Sequence, residues 1–186
     1  MKKVLTLTVV SILFSYACYS QVYFTKNGKI HFDATAASSP ERIEGTTKTA
    51  TSVLDTQTGQ FQFSILMKSF VFERALMEEH FNENYVESDK FPKAEFKGSV
   101  QNNSAVNFTK DGSYTVRVKG KLTIHGVTRD VEVEGQLAVR AGKIQATASF
   151  PVLLSDYKVS IPGLVADKIA KQATIEIDCQ LEPLKK

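Results

Sequence analysis

Along most of this chain apolar and polar side chains alternate with a period of two. Phe61, Phe63, Ile65 and Met67 fall on one face, and Gln62, Ser64 and Lys68 on the other. Tyr114, Val116 and Val118 continue through Gly120 to Leu122 and Ile124, set against Thr115, Arg117, Lys119, Lys121 and Thr123. Val131, Val133, Leu137 and Val139 follow, then Ile144, Ala146, Ala148 and Phe150, and finally Ile175, Ile177, Cys179 and Leu181. That period marks strands with one buried and one wet face. The run from Ile43 to Val53 has a smaller inward set on the same reading: Ile43, Gly45, Thr47, Thr49, Thr51 and Val53.

Turn chemistry punctuates the strands. Lys26-Asn27-Gly28-Lys29 predicts a two-residue hairpin, because Asn-Gly accepts the positive φ angles of a type I′ turn. Thr56-Gln57-Thr58-Gly59, Lys110-Asp111-Gly112-Ser113 and Ala141-Gly142 predict further turns. Many antiparallel strands with one wet face predict an all-β fold, an extended antiparallel barrel of about eight strands, since closure removes exposed edges. Two segments break the rhythm. Phe72 to Phe81 places Phe72, Leu76, Met77, His80 and Phe81 on one helical stripe, with Glu73, Glu78 and Glu79 outward, which predicts one short amphipathic helix. Ser155 to Lys171 contains Pro162-Gly163 and predicts a loop with a helical turn after it.

The N-terminus changes the picture of where the protein works. Lys2 and Lys3 precede an apolar run from Val4 to Phe14, too short for a comfortable bilayer span, and Cys18 and Ser20 stand at the −3 and −1 positions of a cut before Gln21. Residues 1–20 are thus expected to be a signal peptide, and residues 21–186 a single barrel domain in the periplasm or outside the cell. Lipid anchoring at Cys18 is the less favoured alternative, because Ser15 stands where such signals usually carry leucine. Loss of Lys2 and Lys3 takes the formal charge from +3 to +1. Nothing in that balance attracts nucleic acid, and no second apolar run is long enough for stable membrane insertion. Only Cys179 remains after the cut, so stability is expected from packing rather than a disulfide.

The sequence holds no metal-ligand pair of histidines, no GxSxG elbow and no phosphate-cradling glycine loop. No catalytic or metal-ligating set is therefore assigned, and no cofactor. Glu79, His80 and Glu83 could share a helical side, but a solvated acidic face is the simpler reading. His125-Gly126-Val127-Thr128-Arg129-Asp130 reads first as a corner, with Gly126 supplying backbone freedom and Arg129 pairing Asp130 at the surface. A barrel of this size is either filled by side chains or holds one ligand. Twelve phenylalanines and the small-sided Ile43–Val53 run suit both.

The stretch GKLTIHGVTRDVEVEG resembles the "G-x-L-T-[IL]-H-G-V-T-[KR]-x-V" signature of YceI-like proteins, and ALMEEHFNENYVESDKFPKAEFKG is similar to their helix and extended link before a Phe-Pro. The resemblance runs from about Val22 to Leu181. It implies a lipocalin-like barrel, exported to the periplasm, whose lumen holds a polyisoprenoid or another long amphiphile without catalysis. Many members carry Arg-Asp-x-His-Leu where this chain has Met77-Glu78-Glu79-His80-Phe81; the histidine matches and the two charged residues do not.

On that basis the expected ligand is a quinone-like isoprenoid or long-chain lipid. Its expected wall is Phe61, Phe63, Ile65, Phe96, Val116, Val118, Leu122 and Ile124. A polar lip from His80, Tyr85, His125 and Arg129 is expected to orient the head group. The alternative is a stress-linked interaction protein with a filled barrel and the acidic helix as its contact surface. Oligomeric state is left open, a dimer included.

Overall fold

The computed structural model describes residues 22–184. The expected leader, with Cys18 and the cut before Gln21, lies outside the described residues. Eight strands follow one another: β1 (Val22–Thr35), β2 (Glu44–Asp55), β3 (Gln60–Leu66), β4 (Lys93–Val100), β5 (Gly112–Ile124), β6 (Val127–Arg140), β7 (Lys143–Leu153) and β8 (Ile169–Pro183). Each pairs antiparallel with the next, and β8 returns to β1, so the sheet is a closed barrel.

The meander puts the long connections at one end: residues 36–43, 67–92 and 154–168, together with the β5–β6 turn. The other end has the short β2–β3 and β6–β7 turns and the 101–111 loop. That loop closes the barrel there. Val106 is buried beneath it, and the Asn103 side-chain amide donates to the Thr56 carbonyl at 2.9 Å. Above it Tyr23, Leu54, Leu137, Val139, Ile144 and Leu181 are almost wholly buried.

Two turns follow the residue chemistry closely. His125 and Gly126 have φ of 50° and 71°, and Ala141 and Gly142 have 49° and 74°; each pair joins directly opposed strands, Ile124 to Val127 and Arg140 to Lys143. These are the positive angles a two-residue turn of the right twist needs. At the 56–59 turn, the Asp55 carboxylate accepts from the backbone of Gln57 and Thr58, and Gly59 has a φ of 74°.

Three expectations are corrected. Asn27-Gly28 is no hairpin: it lies inside β1, at a bulge where the register against β2 and β8 shifts. Glycine is needed there for close approach, since a Cβ would meet the Cys179 sulfur at 2.5 Å. A second shift, with the extra residue on β2 at Lys48-Thr49, reverses the far half of that strand. Gly45 and Thr47 point in, but Ala50, Ser52 and Leu54 then take over, leaving Thr49, Thr51 and Val53 exposed. A one-residue bulge exchanges the two faces of a strand, so the inward set from Ile43 to Val53 is half wrong. The helix α1 (Ala75–His80) starts three residues later than its apolar stripe and runs on as a π turn, Phe81–Tyr85. Leu76 on that stripe is 60% exposed. The loop before β8 has the expected turn at Gly163–Val165, and an unforeseen 3-10 turn at Leu154–Tyr157.

Candidate functional site

The inner faces of the strands are not equivalent along the barrel. Toward the closed end they are buried, whereas Phe63, Ile65, Phe96, Val118, Leu122 and Ile124 are only partly covered despite pointing inward. They face a cavity of about 430 Å³, within the range of small-molecule sites. Its wall is almost wholly apolar. Phe61, Phe63, Ile65, Phe96, Val116, Val118, Leu122 and Ile124 all line it, joined by Val131, Val133, Phe150, Ile175 and Ile177.

The hollow has local causes. Phe96 lies over Gly98 and Gly120, which are cross-strand partners; a Cβ on either would meet its ring at 2.6 and 2.8 Å. The glycines let the ring lie along the wall instead of across the lumen. Ala94, Ala146 and Ala148 keep other stretches thin. At the upper end Phe32, Phe70, Phe72 and Phe81 form a ring cluster, with Phe32 stacked on Phe81 at 5.2 Å between centroids. This cluster anchors α1 and the π turn over one side of the mouth. Aromatic pairs of this kind add stability beyond their buried area.

Polar groups gather at the mouth. His80 and Tyr85 line the cavity at its upper end, beside Glu41, Arg74 and Lys168. Burial pushes the Tyr85 phenol up from its ordinary value. His80 Nδ1 is bonded to the Asn84 side chain at 3.0 Å. Arg74 reaches across to Glu41 at 2.6 Å, linking the helix segment to the β1–β2 loop over the opening. Leu66, Val71, Leu76, Leu153 and Leu164 are exposed on this end of the molecule, Leu164 at 96%.

His125 and Arg129, expected at the polar lip, do not line the cavity; their side chains are taken up by the neighbouring loops. The β5–β6 turn folds down against the 87–91 segment and the 154–157 turn. His125 Nε2 bonds the Glu87 carboxylate at 2.7 Å, and its Nδ1 donates to the Tyr157 carbonyl at 3.1 Å. The ring also meets Phe91 edge-on at 4.7 Å. A side chain at Gly126 would strike Phe91 at 2.4 Å. The hydrogen bond from His125, helped by Lys90, holds the Glu87 carboxyl below its ordinary range. Arg129 does not pair with Asp130: its Nε donates to the Asp156 carbonyl at 3.0 Å, and Asp130 pairs with Lys121. The HGVTRD knot is therefore a clasp of three loops. Glu87, His125 and Lys158, three of its residues, share left-handed backbone. The Glu87 partner escapes sequence reasoning, since nothing local links positions 87 and 125.

Cys179 sits inward among strand residues, and burial pushes its thiol up to about 12. It is a packing residue, as the alternation implied.

The YceI-like domain model matches residues 22–181. This chain belongs to the YceI-like family. Solved structures agree on the fold. A polyisoprenoid binding domain from Saccharophagus degradans, implicated in plant cell wall breakdown, superposes with a TM-score of 0.77 at 12% identity, covering 89% of this chain and 99% of that one. BcnA of Burkholderia cenocepacia gives 0.65 at 18% identity, with 83% and 95% covered. The Campylobacter jejuni YceI protein gives 0.59 at 17%, with 78% and 87% covered. No curated protein has a matching sequence. The lipocalin-like barrel expected from the YceI-like signature is thus the fold observed, with one short helix beside its mouth.

Proposed function

We propose that this YceI-like protein is a non-catalytic binding protein, exported to the periplasm, that holds the apolar chain of a polyisoprenoid or similar long lipid in its lumen. The observation that carries this reading is the apolar cavity of about 430 Å³ above a packed closed end. A filled barrel acting only through its helix surface would leave no such space. The similarity to the Saccharophagus degradans polyisoprenoid binding domain supports the same ligand class.

The energetics need no catalytic group. Each buried CH₂ contributes about 0.8 kcal/mol, so one five-carbon unit contributes about 3–4 kcal/mol gross. A few units offset the ordering cost of association. His80 and Tyr85 border the upper end of the lumen, and the eight wall residues from Phe61 to Ile124 lie along the apolar chain in this reading.

Native mass spectrometry of protein purified gently from its own host tests the proposal. The expected result is a discrete adduct that organic extraction resolves into an isoprenoid or other long-chain lipid. A clean unliganded mass, unchanged after incubation with isoprenoid quinones and polyprenyl phosphates, overturns it.

A further inference from the structure

The barrel has two seams where neighbouring strands part toward the mouth, and the chain treats them differently. β2 and β3 pair only from Leu54–Phe61 to Thr51–Ser64. Beyond that point the Met67–Val71 segment fills the gap. Thr46 and Val71 exchange backbone hydrogen bonds of 3.0 and 2.9 Å, Thr47 Oγ1 bonds Ser69 Oγ at 2.8 Å, and Met67 and Phe70 are buried.

The other seam is covered toward the rim by the Leu154–Tyr157 turn, where Tyr157 is buried and Val127 and Phe150 pack beside it. The β6–β7 ladder runs from Arg140–Lys143 only to Gly135–Ala148. Among the described residues, β6 from Val127 to Glu134 and β7 from Ser149 to Leu153 then continue without pairing to each other. Pro151, which has no N–H to give, stands in this unpaired part of β7, as expected of an open edge. The bridge across it, Arg129 to the Asp156 carbonyl, lies near the rim. Outside this seam is a polar groove of about 480 Å³. Gly135, Gln136, Thr147, Ala148 and Ile177 border both the groove and the lumen. The two spaces share this stretch of wall where the ladder stops.

We infer that the β6–β7 seam is a lateral window, and that the lumen's amphiphile places an uncharged polar head there, in the outer groove. This rests on the proposed lumen function and adds the side and chemistry of the head group. An apolar wall gives way at this point to hydrogen-bonding groups, Gln136, Thr147 and Ser149, which suit a quinone carbonyl or a hydroxyl. Charge selects against a phosphate. Glu134, Glu176 and Asp178 line the groove against Lys29 alone among fixed cations, and an anionic head would meet like charge. The Gly135–Ala148 pair is the tight end of the seam, where a Cβ on Gly135 would meet the Thr147 carbonyl at 2.8 Å.

The absence of tryptophan from the natural chain offers a clean reporter. Ser149→Trp puts an indole on the exposed lip of the window, and Leu164→Trp puts one at the upper mouth; Gln136→Trp repeats the first from the β6 side. Full-chain variants are titrated with decylubiquinone, whose ring quenches indole fluorescence on contact, and then with geranylgeranyl phosphate as competitor. The expected result is quenching at least threefold stronger in Ser149→Trp or Gln136→Trp than in Leu164→Trp, with the phosphate competing at least tenfold more weakly than the quinone. Quenching confined to Leu164→Trp, or equal in all three, overturns the window and leaves the lumen function standing. Equal competition by the phosphate overturns the uncharged head. No quenching in any variant, together with no quinone adduct by native mass spectrometry, overturns both the window and the lumen reading for this ligand class.

Discussion

The two ends of this barrel are built from the same alternating strands, yet one is solid and the other hollow. At the closed end β-branched and leucine side chains from facing strands meet across the axis, and Leu54, Ile144 and Leu181 have no exposed surface. At the open end the inward residues are as apolar but stay partly uncovered, because glycines and alanines thin the wall and Phe96 lies flat on it. Hydrophobic alternation thus produces a barrel without deciding whether the barrel is full. What decides is the size of the side chains that oppose one another at each level.

The sharpest way to break this comparison is to cut into both ends. Leu181→Ala is expected to cost about 2–5 kcal/mol, because it opens a void in close-packed core. Phe63→Ala, whose ring already borders empty space, is expected to cost less than half as much. Urea denaturation of the two variants checks this, and equal losses would mean that the lumen wall is packed like the floor.

The clasp of three loops comes next. His125→Ala removes hydrogen bonds to the Glu87 carboxylate and the Tyr157 carbonyl and is expected to lower stability by about 1–3 kcal/mol. Loss of the clasp should also loosen the 87–91 and 154–157 segments, which amide exchange would register while the closed-end strands keep their protection.

Filling the hollow gives the opposite pattern. Val133→Trp is expected to weaken retention of an apolar chain tenfold or more, equivalent to about 1.4 kcal/mol, with little change in unfolding. Val139→Trp, the same exchange in the packed half, is expected to destabilise the fold by about 1–3 kcal/mol through overpacking. Extracted lipid per folded molecule, set beside the thermal midpoint, separates the two.

The smallest expected effect concerns acid. A carboxyl held below its ordinary range contributes stability that is present above that range and is lost as pH falls through it. Glu87 is such a group because His125 hydrogen-bonds it. Glu87→Gln should therefore lower stability at neutral pH and flatten the loss between about pH 5 and 3, where free carboxyls titrate. Unfolding curves of the wild type and variant across that interval check it; parallel curves would show that the pair carries no linkage.

Much of this architecture was legible from the residues alone. Period-two alternation marked β3 and β5 to β8 and their inward faces, since a strand has no other way to bury one side only. Ala141-Gly142 and His125-Gly126 were readable because a two-residue turn needs positive φ and few residues accept it. Seven of the eight wall residues from Phe61 to Ile124, all but Phe96, lie in those alternating runs. Bulges were not legible. β1 shifts at Asn27-Gly28, where Gly28 lies against Cys179 far away in the chain, and a second shift, at Lys48-Thr49, carries half of β2 to the opposite face. The role of His125 was equally hidden, because Glu87 and Tyr157 reach it only once the barrel has closed.

By itself, then, the sequence determined the strands, their apolar sides, most of the turns and the family, because those depend on local periodicity and on a contiguous signature. Tertiary structure alone decided that the upper barrel is hollow, that a crossing segment pairs into one seam while the β6–β7 ladder stops short, and that HGVTRD clasps loops. Each of those outcomes depends on which distant side chains meet at one level of the barrel, and side-chain volume across a closed sheet is a property of pairs that no single stretch contains.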